Sequence, residues 1–293
     1  MKKEQTYFDP KTNRYPYPED TCKHYLEVKK NKGIKFDKHY PYVDKSKGFA
    51  FKRGLVKILL TVIVYPLARI RLGLRFDGKD ILKKNKELLK KGCVSVCNHV
   101  HMWDFLAVRS LLRKFDPKLL AWAPNINGES GTLIRMVGGI PIPENDYAAS
   151  VAFMEAVDGL IQEGGLLHIY AEGSMWEYYR PIRPLKKGAA HFAVTNQRPI
   201  LPLAFSYRKP SWFRKKIMKQ LAVFTLHVGE PIFPNEELNK YEQEEDLTIR
   251  VHKEMCRLAG FKEGENPYEP IYKNSKRVDY YTNKYGVGYK GSW

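Results

Sequence analysis

Apolar positions recur along this chain at two spacings, and each predicts its own kind of element. Val151, Met154, Val157, Leu160 and Ile161 fall three and four residues apart. That spacing predicts a helix over 147–162, stopped by Gly164 and Gly165. Shorter helical patterns cover 80–91, 105–113, 132–137, 188–195 and 247–258. Brief apolar runs bounded by turn residues predict strands at 74–78, 94–97, 119–123, 140–142, 166–170, 200–205 and 221–228. Strands alternating with helices predict an α/β fold, a central mixed sheet flanked by helices.

One apolar stretch stands outside this alternation. Between Leu55 and Leu74 the uncharged centre, 58–68, is shorter than the roughly 20 apolar residues a bilayer span needs. Lys52, Arg53 and Lys57 precede it, Arg69 and Arg71 follow it, and Pro66 inside it predicts a kink or a stop. An apolar centre with basic flanks fits an N-terminal membrane-associating helix over about 52–72, lying in the interface. A core helix with exposed ends fits the same letters. Residues 1–48 and 261–293 are poor in aliphatic side chains and rich in Lys and Tyr. They read as two arms around a domain spanning 49–260.

Charge narrows the partners. The chain of 293 residues has a formal net charge of +18, which favours nucleic acid, an anionic membrane face or acidic substrates. The lysines are scattered, and no zinc-finger spacing, RNA-binding sheet signature or zipper is present, so nucleic acid is the weaker expectation. Cys22, Cys93, Cys97 and Cys256 form no disulfide framework, and no signal peptide is evident. Reduced thiols and a cytoplasmic setting are expected. Cys93, Cys97, His99 and His101 are close in sequence, but two separated ligand pairs are lacking. The cysteines read as packing on a buried strand, and no metal is expected.

The polar residues that follow this strand carry the candidate chemistry. Asn98-His99-Val100-His101-Met102-Trp103-Asp104 leaves the end of a buried strand, where α/β domains build their sites. A histidine accepts a proton near neutral pH. Asp104, across a turn, is placed to orient the His99 ring and stabilise its imidazolium. His101 competes for the role of base.

This segment resembles the first motif of the glycerolipid acyltransferases, N-H-x-x-x-x-D, met by Asn98, His99 and Asp104. Tyr170-Ala171-Glu172-Gly173-Ser174-Met175 resembles the family's third motif. Pro184-Leu185-Lys186-Lys187-Gly188-Ala189 is similar to the element that follows it, and Ile200-Leu201-Pro202-Leu203 to the fourth. The resemblance covers about 55–228 and implies an O-acyltransferase at the cytoplasmic face of a membrane, peripheral or monotopic. Its implied co-substrates are a fatty acyl-CoA or acyl-carrier protein and a lyso-lipid acceptor, with no metal or organic cofactor. It implies His99 as general base with Asp104 behind it, and the Gly173 N–H as an oxyanion donor. Asn98, Glu172 and Ser174 are implied to bind substrate; Arg180, Arg183 and Lys186, just downstream, are expected to supply substrate-binding charge, with a solvated basic loop as the other reading of Arg180 and Arg183.

Two arginines of the family pattern are missing. Met175 stands at the end of the third motif, and Glu144 replaces the arginine of the second, Gly139-Ile140-Pro141-Ile142-Pro143-Glu144. An arginine at such a place pairs with a phosphate bidentately, so a non-phosphate lyso-lipid or glycolipid acceptor stays open. So does a basic membrane- or nucleic-acid-binding protein without turnover. A hydrolase would need a G-x-S-x-G elbow, which the chain lacks.

Overall fold

The computed structural model describes residues 32–266 and Tyr268. Cys22 and most of both arms lie outside the described residues. In chain order, α1 (Lys47–Leu59) runs through a π turn (Leu60–Val64) into α2 (Tyr65–Leu72), followed by β1 (Arg75–Asp77), α3 (Lys79–Lys84), α4 (Lys86–Leu89) and β2 (Cys93–Val96). Then come α5 (Asp104–Leu111), β3 (Lys118–Trp122), α6 (Ala123–Asn127), α7 (Gly131–Met136), β4 (Gly139–Ile142) and α8 (Tyr147–Gln162). The last are β5 (Leu166–Ile169), α9 (Gly188–Thr195), β6 (Ile200–Arg208), α10 (Trp212–Lys216), β7 (Val223–Val228) and α11 (Lys240–Leu258).

The strands form one mixed seven-stranded sheet in the order β1-β7-β6-β2-β5-β3-β4. Only β6 and β7 pair antiparallel; the other pairs are parallel. The pleat sends alternate side chains of β2 to opposite faces. Val94 and Val96 pack with Leu160 and Ile161 of α8, Phe192 of α9 and Val251 of α11. Cys93 and Cys97 pack on the other face with Leu72, Leu89, Ala107 and Val108. Both thiols are fully buried, and burial pushes the Cys93 thiol up to about 12.

Three predicted elements differ most from those observed, and α6 and α10 have no predicted counterpart. The helix over 80–91 breaks at Asn85, whose side chain donates to the Ile81 carbonyl and to Glu230. The helix predicted from 247 starts at Lys240, where Asn239 and Glu242 form a reciprocal capping box. Its first two turns are mostly exposed and polar, so apolar spacing did not mark them. The helix around Pro66 continues to Leu72. Proline has no N–H to give, and the π turn just before it absorbs the misfit, Tyr65 N–H bonding the Leu60 carbonyl. Gly73 (φ +57) then ends α2 in the left-handed region.

The α1–α2 rod is apolar on two faces. Leu60, Tyr65 and Ala68 pack on Leu106 of α5 and Val137. Phe51, Leu55, Ile58, Val62, Leu67 and Ile70 form a second stripe, all about half exposed or more. Among the described residues no helix is long and apolar enough to cross a membrane. Residues 32–46, read as part of the N-terminal arm, lie against the domain. Tyr42 is buried beside Phe153, and Ile34 exchanges two hydrogen bonds with the Asn127 side chain.

Candidate active site

Two neighbouring parallel strands bring the site together. In the β2–β5 register Val96 stands beside Ile169. Three residues beyond each strand end lie His99 and Glu172, and equal steps along parallel chains keep them adjacent. The His99 N–H donates to Glu172 Oε2 at 3.0 Å. The loops continue this stitching, Trp176 N–H to the His99 carbonyl and Tyr178 N–H to the Val100 carbonyl, both at 2.9 Å.

His99 and Asp104 meet as predicted from their spacing. His99 Nδ1 lies 2.8 Å from Asp104 Oδ2, which also accepts the N–H groups of Val100 (2.8 Å) and His101 (3.2 Å). Asp104 is the first residue of α5 and is buried. Burial pushes its carboxyl up, but the His99 charge and hydrogen bond, the Tyr170 hydroxyl and the Val100 N–H outweigh it and hold it below the ordinary range. A carboxylate at Nδ1 fixes the proton there and leaves the Nε2 lone pair of His99 to accept another. The ring is stacked on Tyr170, centroids 4.0 Å apart and planes 14° apart. The Tyr170 hydroxyl and Asp104 Oδ1 are both buried, and among the described residues neither reaches full hydrogen-bond geometry with a protein group.

His101 is a poor base. Its Nδ1 accepts the Trp103 N–H at 3.0 Å, and burial lowers its pKa to about 4 despite the nearby Asp104. Its Nε2 lies 3.6 Å from Glu177, whose carboxyl burial, with Asp104 adding, pushes up to about 7. Behind Tyr170, the fully buried His168 bonds Ser95 Oγ at 2.9 Å, and burial lowers it to about 3.

Several residues expected to bind substrate instead hold up the site. Asn98 is fully buried; its amide donates to the Phe205 carbonyl and accepts the Phe205 N–H, tying the end of β2 to β6. Arg183 is fully buried too, closed off from solvent and from any substrate. Its guanidinium bonds Glu172 Oε2 (2.9 Å) and Ser174 Oγ (2.8 Å) and lies over the Trp176 ring. Glu172 therefore joins His99 to Arg183 rather than facing a substrate, and Ser174 is spent on the same arginine. The Gly173 N–H, the expected oxyanion donor, closes a turn onto the Tyr170 carbonyl. Glycine is favoured there because φ is +81°, in the left-handed region. Lys186 is exposed beside it, and Arg180 is exposed nearby. Trp176 and Tyr179 are core residues. Glu144 accepts from the Trp122 indole at 2.7 Å.

Sequence reasoning assigned no role to Tyr170 as a ring platform. The signal was its place at the head of the third motif, one residue beyond β5. Arg71 was read only as a flank of the apolar stretch, yet its charge bears on both His101 and Tyr178. The end of α2 is therefore close to the site.

Comparisons with known proteins point to one family. Residues 74–206 match the family model described as Acyltransferase. A 1-acyl-sn-glycerol-3-phosphate acyltransferase of Cocos nucifera is 23% identical over 204 residues, covering 63% of this chain and 65% of the relative. The human 1-acyl-sn-glycerol-3-phosphate acyltransferase beta is 26% identical over 162 residues, 55% of this chain and 56% of that protein. The chain thus spans less than two thirds of either relative. The crystal structure of the 1-acyl-sn-glycerophosphate acyltransferase PlsC of Thermotoga maritima aligns over 72% of this chain and 84% of its own, at 16% identity and a TM-score of 0.45. Residues 74–206, from Leu74 before β1 to Ser206 in β6, are thus similar to the acyltransferase family over somewhat less than half of the chain.

Proposed function

We propose that this protein is an O-acyltransferase that moves a fatty acyl group from an acyl-CoA or acyl-carrier-protein thioester to a hydroxyl of a lyso-lipid at a membrane surface. The observation that carries the reading is the His99–Asp104 pair: a partly exposed imidazole, stacked on Tyr170, with its Nδ1 on a buried carboxylate. His99 Nε2 takes the proton of the acceptor hydroxyl as that oxygen attacks the thioester carbonyl. Asp104 stabilises the imidazolium. The tetrahedral intermediate then collapses, the C–S bond breaks, and the imidazolium returns the proton to the departing thiolate. The acceptor supplies the nucleophile and the thioester the activated acyl group, so the reaction needs no metal or organic cofactor.

The exposed apolar stripe of α1–α2 supports the membrane reading. It sits on a rod packed directly against α5, the helix that Asp104 opens. An apolar stripe of this length is stable in a lipid interface and costly in water. The side of the membrane is taken as cytoplasmic because the thioester donors are made there.

Acceptor charge is a second question. With Met175 and Glu144 in place of arginines and Arg183 buried, the exposed cations near the site are Lys186, Arg180 and Arg71, none of them at a motif arginine position. This favours a lyso-lipid whose headgroup phosphate is dispensable. The test is thiol release from palmitoyl-CoA and from palmitoyl-acyl-carrier protein by the wild type and by His99→Ala, with lysophosphatidic acid, lysophosphatidylcholine and a monoacyl glycolipid as acceptors. Acceptor-dependent release is expected to fall by about 10²–10⁴ in the variant. Equal rates in both proteins would remove His99 as the base, and no release with either thioester donor would remove the acyltransferase activity.

A further inference from the structure

The β6–β7 connection, residues 209–222, takes no part in the site described above, yet its composition is pronounced. It carries Lys209, Arg214, Lys215, Lys216 and Lys219 and no acidic residue. At its tip α10 exposes Trp212 (71%), Phe213 (57%) and Ile217 (60%), three large apolar side chains in six residues. The tip is built rather than loose. Ser211 caps α10 by accepting the Arg214 N–H, and Arg214 Nη1 reaches the Ile70 carbonyl (2.8 Å) and Gln220 Oε1 (2.9 Å). The buried Gln220 amide bonds the Arg71 carbonyl. These bonds fasten the connection to the last turn of α2, where Leu67 and Ile70 are themselves exposed.

The four lysines are exposed and make no ion pair among the described residues. A second copy of a chain with net charge +18 would bring like charge against them. Nucleic acid would answer the lysines, but it leaves the neighbouring aliphatic stripe of α1–α2 in water. An anionic lipid surface answers both: aromatic and aliphatic side chains enter the headgroup boundary while lysines meet the headgroups.

We propose that the β6–β7 connection is a second membrane contact, inserting Trp212, Phe213 and Ile217 into an anionic bilayer surface beside the α1–α2 rod. The inference rests on the reading that α1–α2 lies on a membrane, and it adds what one rod cannot provide. A single helix lying in an interface can roll about its own axis. A second contact off that axis stops the roll and fixes which way the His99 site faces. The Arg214–Ile70 and Gln220–Arg71 bonds make the two contacts one rigid unit.

The test is sedimentation of the full chain with phosphatidylcholine vesicles, with and without phosphatidylglycerol. Three proteins are compared: the wild type, the triple variant Trp212→Glu/Phe213→Glu/Ile217→Glu, and the rod variant Ile58→Glu/Val62→Glu. The loop variant should bind anionic vesicles roughly tenfold more weakly while keeping thiol release with a monomeric short-chain acceptor. Brominated lipid should quench an emission component present in the wild type and absent in Trp212→Phe. Vesicle binding by the loop variant equal to the wild type, or no quenching of Trp212, overturns the second contact and leaves the rod reading standing. No binding of the wild type to either vesicle overturns both.

Discussion

At the scale of single residues the site is a chain of dependence. His99 is oriented by Asp104, which is fixed by the N–H groups of Val100 and His101 and approached by the Tyr170 hydroxyl. Tyr170→Phe keeps the ring stack and removes only that hydroxyl. The Asp104 carboxyl should then rise in pKa and hold the imidazolium less firmly. The expected result is a fall in kcat of about tenfold, roughly 1.4 kcal/mol, with KM for the thioester unchanged. A KM effect instead would mean that Tyr170 touches substrate. The His99–Asp104 pair was legible in the sequence because a five-residue separation across one turn is local chemistry. The supporting role of Arg183 was not. It depends on Glu172 and Ser174 turning inward, which is decided by the β2–β5 register and by the space beneath Trp176.

At the scale of elements, the α1–α2 rod is held by charge as well as packing. Asp116 accepts both terminal nitrogens of Arg53 (2.7 and 2.8 Å) and also pairs with Lys57 and Lys118. Burial pushes its carboxyl up, but Arg53, Lys118 and Lys57 hold it well below the usual range. Asp116 sits at φ +48°, a conformation asparagine also tolerates. Asp116→Asn therefore tests charge alone. It leaves Arg53, almost fully buried, without its counter-ion, and should cost about 3 kcal/mol in chemical unfolding. A loss near zero would show that apolar packing on α5 suffices to dock the rod. Sequence expected a helix over about 52–72 with a kink or stop at Pro66, whereas the rod runs unbroken from Lys47 to Leu72. The π turn that carries the chain past the proline requires a neighbour to pack on, and that neighbour is α5.

At the scale of the whole molecule, buried histidines set the response to acid. Burial lowers His101 to about 4, His168 to about 3 and His252 to about 4, the Ile182 carbonyl opposing the shift at His252. Each is neutral when folded and takes a proton near 6.5 when unfolded. The unfolded state therefore binds more protons between those values, and stability falls as pH drops below about 6.5. Glu177 works the other way: burial lifts it to about 7, so the folded state keeps its proton and stability from this group is lost as pH rises from about 4.5 to 7. Three imidazoles against one carboxyl leave a net difference of two protons, worth about 3 kcal/mol per pH unit where all four titrate. The urea midpoint should therefore fall between pH 6.5 and 5, and His252→Gln should flatten that fall. A midpoint independent of pH would show that these histidines are protonated in the folded state.

What the sequence determined by itself was local and periodic. The long helices, the strand runs, the α/β class and the His99–Asp104 spacing follow from side-chain alternation and from contacts between near neighbours, which act before the chain folds. The tertiary structure decided everything that needs two distant segments in register. It turned Asn98, Glu172, Ser174 and Arg183 into a buried frame, spent the Gly173 N–H on a turn, and set Tyr170 under His99. It also joined the β6–β7 connection to the end of α2. A residue type states which bonds a side chain can make. Which bond it does make depends on the partner that packing brings within 3 Å, and no spacing along the chain encodes that distance.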